Sequence, residues 1–345
     1  MTGSPGIILS ALDTAPVWKG STATDSLLNT VELARRVERI GYHRFWIAEH
    51  HNLAGLATSA PAVLAGQIAS ATSTLRVGAG GVMLPNHPPL VVAEQFGTLA
   101  ALHPGRVDLG LGRASGTDPH TAKALRRQAG LLGGNDFPSQ VDELLRYFAP
   151  PAGAPADRAR SAVAATPAAE HRVPVWILGS SGYSALLAAS LGLPFAYAHH
   201  FSPFGTDAAL DVYRSEFKPS AYLSEPYTLV SVFGLAAESD ERAEELTGSL
   251  RMATALGSRG LNPVFPRPEE AAGFRYSHEE LALVDRLFEP QLIGGPETAR
   301  RRLEEFVKLT AADELMIVTA VPDIDERTRS YERFARFAGI TAPDA

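Results

Sequence analysis

The feature that most constrains this chain is a repeated alternation between short apolar runs and longer amphipathic stretches. Eight runs are predicted to be strands, at 6–13, 44–50, 75–84, 107–112, 173–179, 195–200, 228–237 and 314–321. The stretches between them have apolar residues at helical spacing, and the helix predicted over 27–40 ends at Gly41, a typical helix-terminating residue. Eight strands separated by helices predict a parallel α/β fold, and this count favours a (β/α)8 TIM barrel over an open sheet.

Two segments interrupt this alternation. Residues 149–170 are rich in Ala and Pro without periodicity, which predicts an irregular connection. Residues 256–290 follow the seventh strand with scattered Pro and Gly, and they are long enough to form a mobile active-site lid. The length of 345 residues also allows two domains at roughly 150 residues each. We nevertheless predict one barrel domain over 1–345 that carries both segments.

Composition excludes several classes of function. The chain has 31 Lys and Arg against 38 Asp and Glu, a formal net charge of −7, which argues against nucleic-acid and anionic-membrane partners. It has no cysteine, which excludes disulfides, iron–sulfur clusters, thiolate zinc sites and cysteine nucleophiles. No run reaches the roughly 18 apolar residues of a membrane helix, and the N-terminus lacks a signal-peptide pattern. These features predict a cytoplasmic protein whose chemistry comes from His, Ser, Tyr, acids or a cofactor.

The polar residues that follow the strands are the first candidates for chemistry, because TIM barrels place their working residues at the C-terminal strand ends. Half of the ten histidines lie there, namely His50, His51, His87, His199 and His200. Each is also compatible with an ordinary surface position, but their clustering favours a functional site.

A metal site is one interpretation of these histidines. His50, His87 and His199 come from different strand ends and could converge on one ion, which would suit a divalent-metal hydrolase. Adjacent strand residues point to opposite faces, however, so His50 and His51 cannot both reach it. No acidic ligand is clearly placed beside the three histidines. We therefore predict no metal and keep the hydrolase as an alternative.

Two glycine-containing segments indicate ligand binding. The turn Gly179-Ser180-Ser181-Gly182 follows a strand and opens a helix, so its free N–H groups favour an anion, and Arg113 on the neighbouring strand end could supply charge. A helix cap without a ligand is the alternative. The third strand contains glycines at 78, 80 and 81, which indicate either a tight barrel bend or the close approach of a flat ligand.

Long motifs give these signals a family context. They are GY-RFWIAEHHN, RVGAGGVMLPNHPPL and PGRVDLGLGRASGTD within 42–118, PVWILGSSGYSALLAASLGLPFAYA at 174–198, and LIGGPETARRRLEEF at 292–306. They are spread over most of the chain, from 42 to 306. In these motifs the chain resembles the bacterial luciferase-like flavin monooxygenases, and the residues of the motifs are most similar to those of their single-chain branch.

The resemblance implies a barrel that uses reduced FMN (FMNH2) and O2, forms a flavin C4a-peroxide and oxygenates a small organic substrate. It implies that His50 is the catalytic histidine beside the flavin ring, and that Gly80 and Gly81 form a non-prolyl cis peptide against that ring. It further implies that a group of residues holds the FMN phosphate, namely Arg113, Ser181, Gly182, Tyr183 and Ser184. The 256–290 segment matches the family's lid.

The chain also departs from the family. Gly112 occupies the position of the reactive cysteine of luciferase, which makes aldehyde oxidation with light emission doubtful. Aromatic residues in the lid and sixth strand favour an apolar or aromatic substrate, undergoing hydroxylation, epoxidation or Baeyer-Villiger oxidation. The predicted substrate-lining residues are His51, His87, Tyr197, His199 and Phe265.

The resemblance also implies partners and leaves alternatives open. It implies a separate NAD(P)H:flavin reductase that supplies FMNH2, and a homodimer. An F420-dependent oxidoreductase on the same fold and a non-catalytic flavin-binding protein remain as alternatives.

Overall fold

Eight parallel strands close into a barrel in the computed structural model, which describes residues 6–114, 117–125, 136–149 and 163–341. The strands are β1 (Ile8–Asp13), β2 (Arg44–Ile47), β3 (Arg76–Met83), β4 (Val107–Gly112), β5 (Val175–Gly179), β6 (Phe195–Ala198), β7 (Thr228–Ala236), β8 (Leu292–Gly294) and β9 (Glu314–Val318). Each of β1 to β6 pairs with the next strand, β7 pairs with β6 and β9, and β9 closes the ring on β1. The predicted TIM barrel is confirmed.

The helices lie between the strands in chain order. They are α1 (Ala23–Ile40), α2 (Pro61–Ala71), α3 (Pro89–Leu102), α4 (Pro119–Leu125), α5 (Phe137–Tyr147), α6 (Gly182–Leu191), α7 (Thr206–Glu216), α8 (Asp240–Ser258), α9 (Pro268–Ala271), α10 (His278–Phe288), α11 (Pro296–Thr310) and α12 (Ile324–Ala338). Local sequence sets their ends: Thr22 and Asp25 form a capping box at the start of α1, and Gly41 ends that helix with φ 99°.

The strand β8 is an addition to the predicted eight. It pairs with the end of β7, where Gly234 and Ala236 lie opposite Leu292 and Gly294. The eighth barrel strand is β9, which the sequence pattern places correctly. Three residues are too few to show the two-residue period by which a strand is recognised, so β8 was not predicted.

The alternation of side chains along each strand builds two separate cores. Phe45 and Ile47 of β2 belong to the large core between the barrel and the surrounding helices. Trp46 and Ala48 belong to a smaller core inside the barrel, together with Trp176, Leu12, Ala196, Leu229, Met316 and Val318. Successive residues on a strand face opposite sides, so residues an even number of positions apart share a face, which we call having the same parity. This parity predicts which residues after each strand continue the inner surface.

A buried network of charges fills the N-terminal end of the barrel. The Arg44 guanidinium lies 2.7 Å from Asp108 Oδ2 and 2.7 Å from Glu314 Oε1, and Arg76 also pairs with Asp108. Tyr227 donates a hydrogen bond of 3.1 Å to Glu314. Both carboxylates are fully buried, so these internal partners replace the water that burial removes.

The predicted lid segment contains more regular structure than its composition indicates. It includes the end of α8, the short α9, and α10, whose Val284 and Phe288 form a small core with Ala255. Whether this segment moves stays a prediction.

The irregular connection is only partly described, because residues 150–162 lie outside the described residues. Its last part forms a short 3-10 turn, Ala168–Glu170, with Ala168 buried against α3. Across the described ranges, no helix is both long and apolar enough to span a bilayer.

Candidate active site

His50 lies where the inner surface of the barrel continues beyond β2. It has the same parity as Trp46 and Ala48, both of which pack inside the barrel. Its backbone N–H donates to the carbonyl of Thr58 at 2.8 Å, which fixes the loop. Its Nδ1 atom is buried and has no hydrogen-bond partner among the described residues. Burial lowers the pKa of His50, against an opposing contribution from Glu49, so the ring is neutral near pH 7.

Glu49 organises the residues on either side of His50. Its carboxylate is fully buried, and its Oε1 atom lies 2.8 Å from Nε2 of His51 and 2.8 Å from Nε2 of His87. It also accepts the backbone N–H of Met83 at 3.0 Å, which ties the end of β2 to the end of β3. Burial acts to raise the pKa of Glu49, but the hydrogen bonds from His87, His51 and Met83 outweigh it and keep that pKa below its ordinary value.

This cluster corrects one step of the sequence reasoning. No acidic ligand was clearly placed with His50, His87 and His199 in the sequence, yet the potential metal-ligand atoms of Glu49, His51 and His87 lie within 4.8 Å of one another. Sequence alternation explains why: Glu49 and His51 share one face of the extended chain, and His50 takes the other. The grouping that was considered, His50 with His87 and His199, does not form, because His199 belongs to the outer layer.

The glycines of β3 are required by the barrel itself. The peptide bond between Gly80 and Gly81 is cis, as the family resemblance implies. The register with β4 shifts between Ala79 and Val82, which marks a bulge. A Cβ at Gly80 would lie 2.7 Å from the Trp46 ring, and one at Gly81 would lie 2.7 Å from the carbonyl oxygen of Gly110. Internal crowding therefore accounts for both glycines, and it also leaves this stretch of backbone without side chains.

Gly112, at the end of β4, is crowded in the same way. A Cβ there would meet the Met83 sulfur at 2.8 Å. A larger residue at this position would require Met83 to move.

Arg113 and the start of α6 meet at the C-terminal end of the barrel. The Arg113 guanidinium carbon lies 4.2 Å from the centroid of the Tyr183 ring, a cation–π contact. Both side chains are exposed, as are Ser181 and Gly182, whereas Ser184 is buried under Gly179. The first-turn N–H groups of α6 are not capped by the Ser181 side chain. A basic side chain thus lies beside an uncapped helix N-terminus, the arrangement that suits an anion.

Two of the predicted substrate-lining residues do not face the barrel interior. Tyr197 is fully buried in the outer core, and its hydroxyl donates to the carbonyl of Ser202 at 2.9 Å. His199 is bonded through both ring nitrogens, to Thr206 at 2.8 Å and to the Pro290 carbonyl at 3.2 Å. Their parity is that of Phe195, opposite to the inward-facing Ala196. The structure therefore places both side chains in the outer layer of the barrel rather than in its interior.

His200 is one of the five strand-end histidines, but the predicted substrate-lining residues did not include it. It follows the inward parity of Ala196, and its ring packs against Phe201 and Phe233 at centroid distances of 4.8 and 5.4 Å. Its Nδ1 atom lies 2.9 Å from Ser231 Oγ on β7. Burial lowers the pKa of His200 to about 3, against an opposing hydrogen bond with the backbone of Ser231. The two-residue alternation along β6 was the signal that could have selected it over His199.

Phe265 lies in the predicted lid and is attached to the loop after β1. Its backbone N–H donates to the Val17 carbonyl and its carbonyl accepts from Lys19, both at 2.8 Å. Its ring packs on Trp18 with centroids 5.2 Å apart. The predicted lid and the loop between β1 and α1 are thus joined by an isolated parallel bridge between Phe265 and Trp18.

The comparisons with known proteins agree with this architecture. A family model described as luciferase-like monooxygenase matches residues 8–313. YvbT of Bacillus subtilis (strain 168) is 48% identical over 95% of this chain and 96% of its own. A luciferase-like monooxygenase of Escherichia coli (strain K12) is 45% identical over 94% and 95%.

Solved structures extend the comparison. Apo-MsnO8 matches with a TM-score of 0.86 at 34% identity, over 98% of this chain and all of its own. Two more distant structures share the fold. One is the oxygenating constituent of 3,6-diketocamphane monooxygenase from Pseudomonas putida in complex with FMN, with a TM-score of 0.67 and 16% identity over 98% of this chain and 99% of its own. The other is an F420-dependent secondary alcohol dehydrogenase, with a TM-score of 0.66 and 15% identity over 96% and 99%. The barrel, the motifs and these matches together place the chain in the luciferase-like monooxygenase family.

Proposed function

We propose that this chain is a reduced-FMN-dependent monooxygenase that transfers one oxygen atom of O2 to a small, apolar or aromatic organic substrate. The observation that carries the proposal is the pairing of Arg113 with the uncapped N-terminus of α6 beside a strip of backbone without side chains. The first feature suits a phosphate group and the second suits a flat ring, and FMN joins these two groups in one molecule.

The phosphate would be held by the start of α6. Its exposed first turn offers backbone N–H groups, and the helix dipole favours a negative charge there. Gly182 has no atom within 4 Å of the place where a Cβ would be, so a phosphate can approach the backbone closely. Arg113 adds a planar cation whose stacking on Tyr183 orients it, and Ser181 adds a hydroxyl.

The ring would lie against Gly80 and Gly81. Neither position carries a side chain, and Gly80 keeps part of its surface exposed, so a planar group placed here would meet backbone. Trp46 and Leu12, which fill the space behind Gly80, make this wall rigid. The residues present therefore fit the cofactor.

His50 would be the proton-handling residue of the site. Reduced FMN supplies two electrons and two protons, so that one oxygen atom of O2 enters the substrate and the other leaves as water. His50 is neutral near pH 7, and its buried Nδ1 lacks a protein partner among the described residues, so this nitrogen is available to a bound group. Glu49, His51 and His87 hold the adjacent backbone in place, which fixes the direction of the His50 ring.

The comparisons support this proposal without deciding the cofactor. A solved structure with the same fold contains FMN, whereas another belongs to an F420-dependent enzyme. An F420-dependent oxidoreductase is thus the second candidate function. It would bind reduced F420 tightly and consume no O2 with reduced FMN.

The cluster of Glu49, His51 and His87 favours a third candidate, a divalent-metal hydrolase. One oxygen of Glu49 already accepts a hydrogen bond from Nε2 of each histidine. Elemental analysis of the purified protein separates this candidate from the flavin enzyme, because it requires stoichiometric metal and no flavin.

The remaining predictions on partners belong to the same proposal. A monooxygenase that starts from free reduced FMN needs a separate NAD(P)H:flavin reductase, and the family resemblance implies a homodimer. Both can be tested, by coupling to a reductase and by sedimentation.

The decisive experiment is an anaerobic titration with photoreduced FMN followed by addition of O2. We expect saturable binding of reduced FMN, and then a transient absorbance that differs from those of both reduced and oxidised FMN. Arg301→Ala, a change at an exposed surface pair, serves as the control and should behave like the wild type. Failure to bind reduced FMN, or binding without any reaction with O2, overturns the proposal.

A further inference from the structure

We propose that His200 is a specificity-determining residue, whose Nε2 atom accepts a hydrogen bond from an O–H or N–H group of the bound substrate. This inference rests on the proposed function for the location of the substrate and goes beyond it by naming a chemical feature of that substrate.

The position of His200 makes it part of the site. It lies two residues beyond Ala198, at the end of the inward-facing row of β6, and keeps part of its surface exposed. His200 and His50 are near enough to interact electrostatically. Phe201 and Phe233 meet its ring edge-on, at 86° and 80°. The imidazole is thus a polar group between two aromatic side chains.

The hydrogen bonds of Ser231 decide which ring nitrogen carries the proton. Ser231 Oγ donates to the carbonyl oxygen of Tyr197 at 3.2 Å, and a carbonyl oxygen can only accept. We assign the single hydroxyl proton to this bond with Tyr197. With that assignment, the 2.9 Å contact between Ser231 Oγ and His200 Nδ1 is a hydrogen bond that the ring donates from Nδ1.

A neutral imidazole with its proton on Nδ1 has a lone pair on Nε2. The ring is neutral near pH 7, because burial lowers its pKa to about 3. A hydrogen bond with the backbone of Ser231 acts to raise that pKa, whereas the charges of His50 and His199 act to lower it. Within the described part of the chain, Nε2 makes no hydrogen bond. His199 shows the contrast, since its neighbours occupy both of its ring nitrogens.

This arrangement selects a class of ligand. A fixed lone pair attracts a hydroxyl or N–H donor and repels a carboxylate, and an ether of the same shape leaves it unpaired. Phe201 and Phe233 supply apolar contacts for the body of the same ligand. The geometry therefore favours phenols, alcohols or amines over acids and ethers.

The first test reads the tautomer directly in the protein without flavin. We expect 15N-histidine NMR to show His200 as the Nδ1–H tautomer, unchanged between pH 5 and 8, with its signals assigned by their loss in His200→Phe. In Ser231→Ala the Nδ1 acceptor is gone, and the Nε2–H tautomer should become populated. A wild-type Nε2–H tautomer, or titration of His200 within that pH range, overturns the inference.

The second test compares phenol with anisole, two probes of similar shape of which only phenol has a donor. We expect phenol to shift the Nε2 resonance of His200 and to bind about two- to tenfold more tightly than anisole, the range of one net hydrogen bond. His200→Phe should abolish this preference, whereas His103→Phe, at the end of α3, should keep it.

Equal binding of the two probes by the wild type, absence of a phenol-induced shift, or a preference retained in His200→Phe would each refute the proposed selectivity. Neither test requires flavin. A failure here is therefore distinguishable from a failure of the proposed function, which depends on reduced FMN and O2.

Discussion

The two ends of the barrel use inward-facing polar residues in opposite ways. At the N-terminal end, Arg44 is bonded to Asp108 and Glu314, and each of these buried charges has its partner within the chain. At the C-terminal end, the buried Nδ1 of His50 has no partner among the described residues, and Arg113 stacks on an exposed tyrosine beside a helix N-terminus. The same alternation of side chains thus produces a closed network at one end and available groups at the other.

This difference teaches where the molecule can bind. Charges that already neutralise one another gain little from a ligand, and a ligand would have to displace good hydrogen bonds. Groups without a partner gain a full interaction when a ligand arrives, and they reduce stability until it does. The N-terminal end should therefore matter for stability and the C-terminal end for function.

The largest expected effect is on activity, at the C-terminal end. His50→Phe should reduce oxygenation of a working substrate by about 10² to 10⁴, the usual contribution of a proton-transferring residue. Since it also removes a buried nitrogen without a partner, the free energy of unfolding should stay the same or rise. Single-turnover rates and urea unfolding measure the two effects. If His50→Phe lowered stability and activity together, this would contradict the proposal that the C-terminal end serves function rather than stability.

The next effect is on stability, at the N-terminal end. Arg44→Met leaves the buried Glu314 carboxylate without its cationic partner and leaves Asp108 with Arg76 alone, and it should lower the free energy of unfolding by about 3–5 kcal/mol. Arg36→Met, which breaks a surface pair with Asp325, should cost less than about 1 kcal/mol. Urea unfolding checks both, and equal losses in the two variants would contradict the role of the buried network.

A smaller effect is expected on cofactor affinity. Arg113→Ala should weaken FMN binding by about 10- to 100-fold, the range of a charge-assisted hydrogen bond, with unfolding unchanged because the side chain is exposed. Fluorescence titration with FMN and with riboflavin, which lacks the phosphate, separates the phosphate contact from the ring contact. The variant should lose affinity for FMN only; an equal loss for riboflavin would show that Arg113 does not act on the phosphate.

The smallest effect is the dependence of stability on pH. Burial lowers the pKa of His199 to about 4 and that of His200 to about 3, from an ordinary value of 6.5. The unfolded chain therefore binds more protons below pH 6.5, so this stabilisation is complete above that pH and is lost as the pH falls toward about 4. Urea unfolding at pH 7 and pH 5 should show a smaller loss in His200→Phe than in the wild type, by on the order of 1–2 kcal/mol. An identical loss would mean that His200 is not buried as a neutral ring.

Sequence reasoning predicted the architecture better than the site. The eight barrel strands were predicted because their apolar runs are long enough to show a pattern. The three-residue β8 is too short to show one. The helix α10 was missed inside the predicted lid, although Ser277 and Glu280 form a capping box that could have indicated its start.

Within the site, two errors have the same cause. His199 was included because it follows a strand, and Tyr197 because it is an aromatic residue of the sixth strand, but neither property tells which face of the strand a residue takes. His200, one residue away, takes the inner face. Glu49 was overlooked as a partner for His51 and His87, although His51 shares its face and His87 follows the neighbouring strand.

The sequence by itself determined the class of fold and the family, because both depend on local periodicity and on motifs that span most of the chain. It also narrowed the chemistry, since a chain without cysteine must use other groups or a cofactor. Only the tertiary structure decided which polar residues are satisfied. A hydrogen bond such as that between Glu49 and His87 joins residues from two strands, and whether a buried group has a partner depends on that pairing. Such pairing gives the buried charges at the N-terminal end of the barrel their partners, and it leaves Nδ1 of His50 at the C-terminal end without one among the described residues.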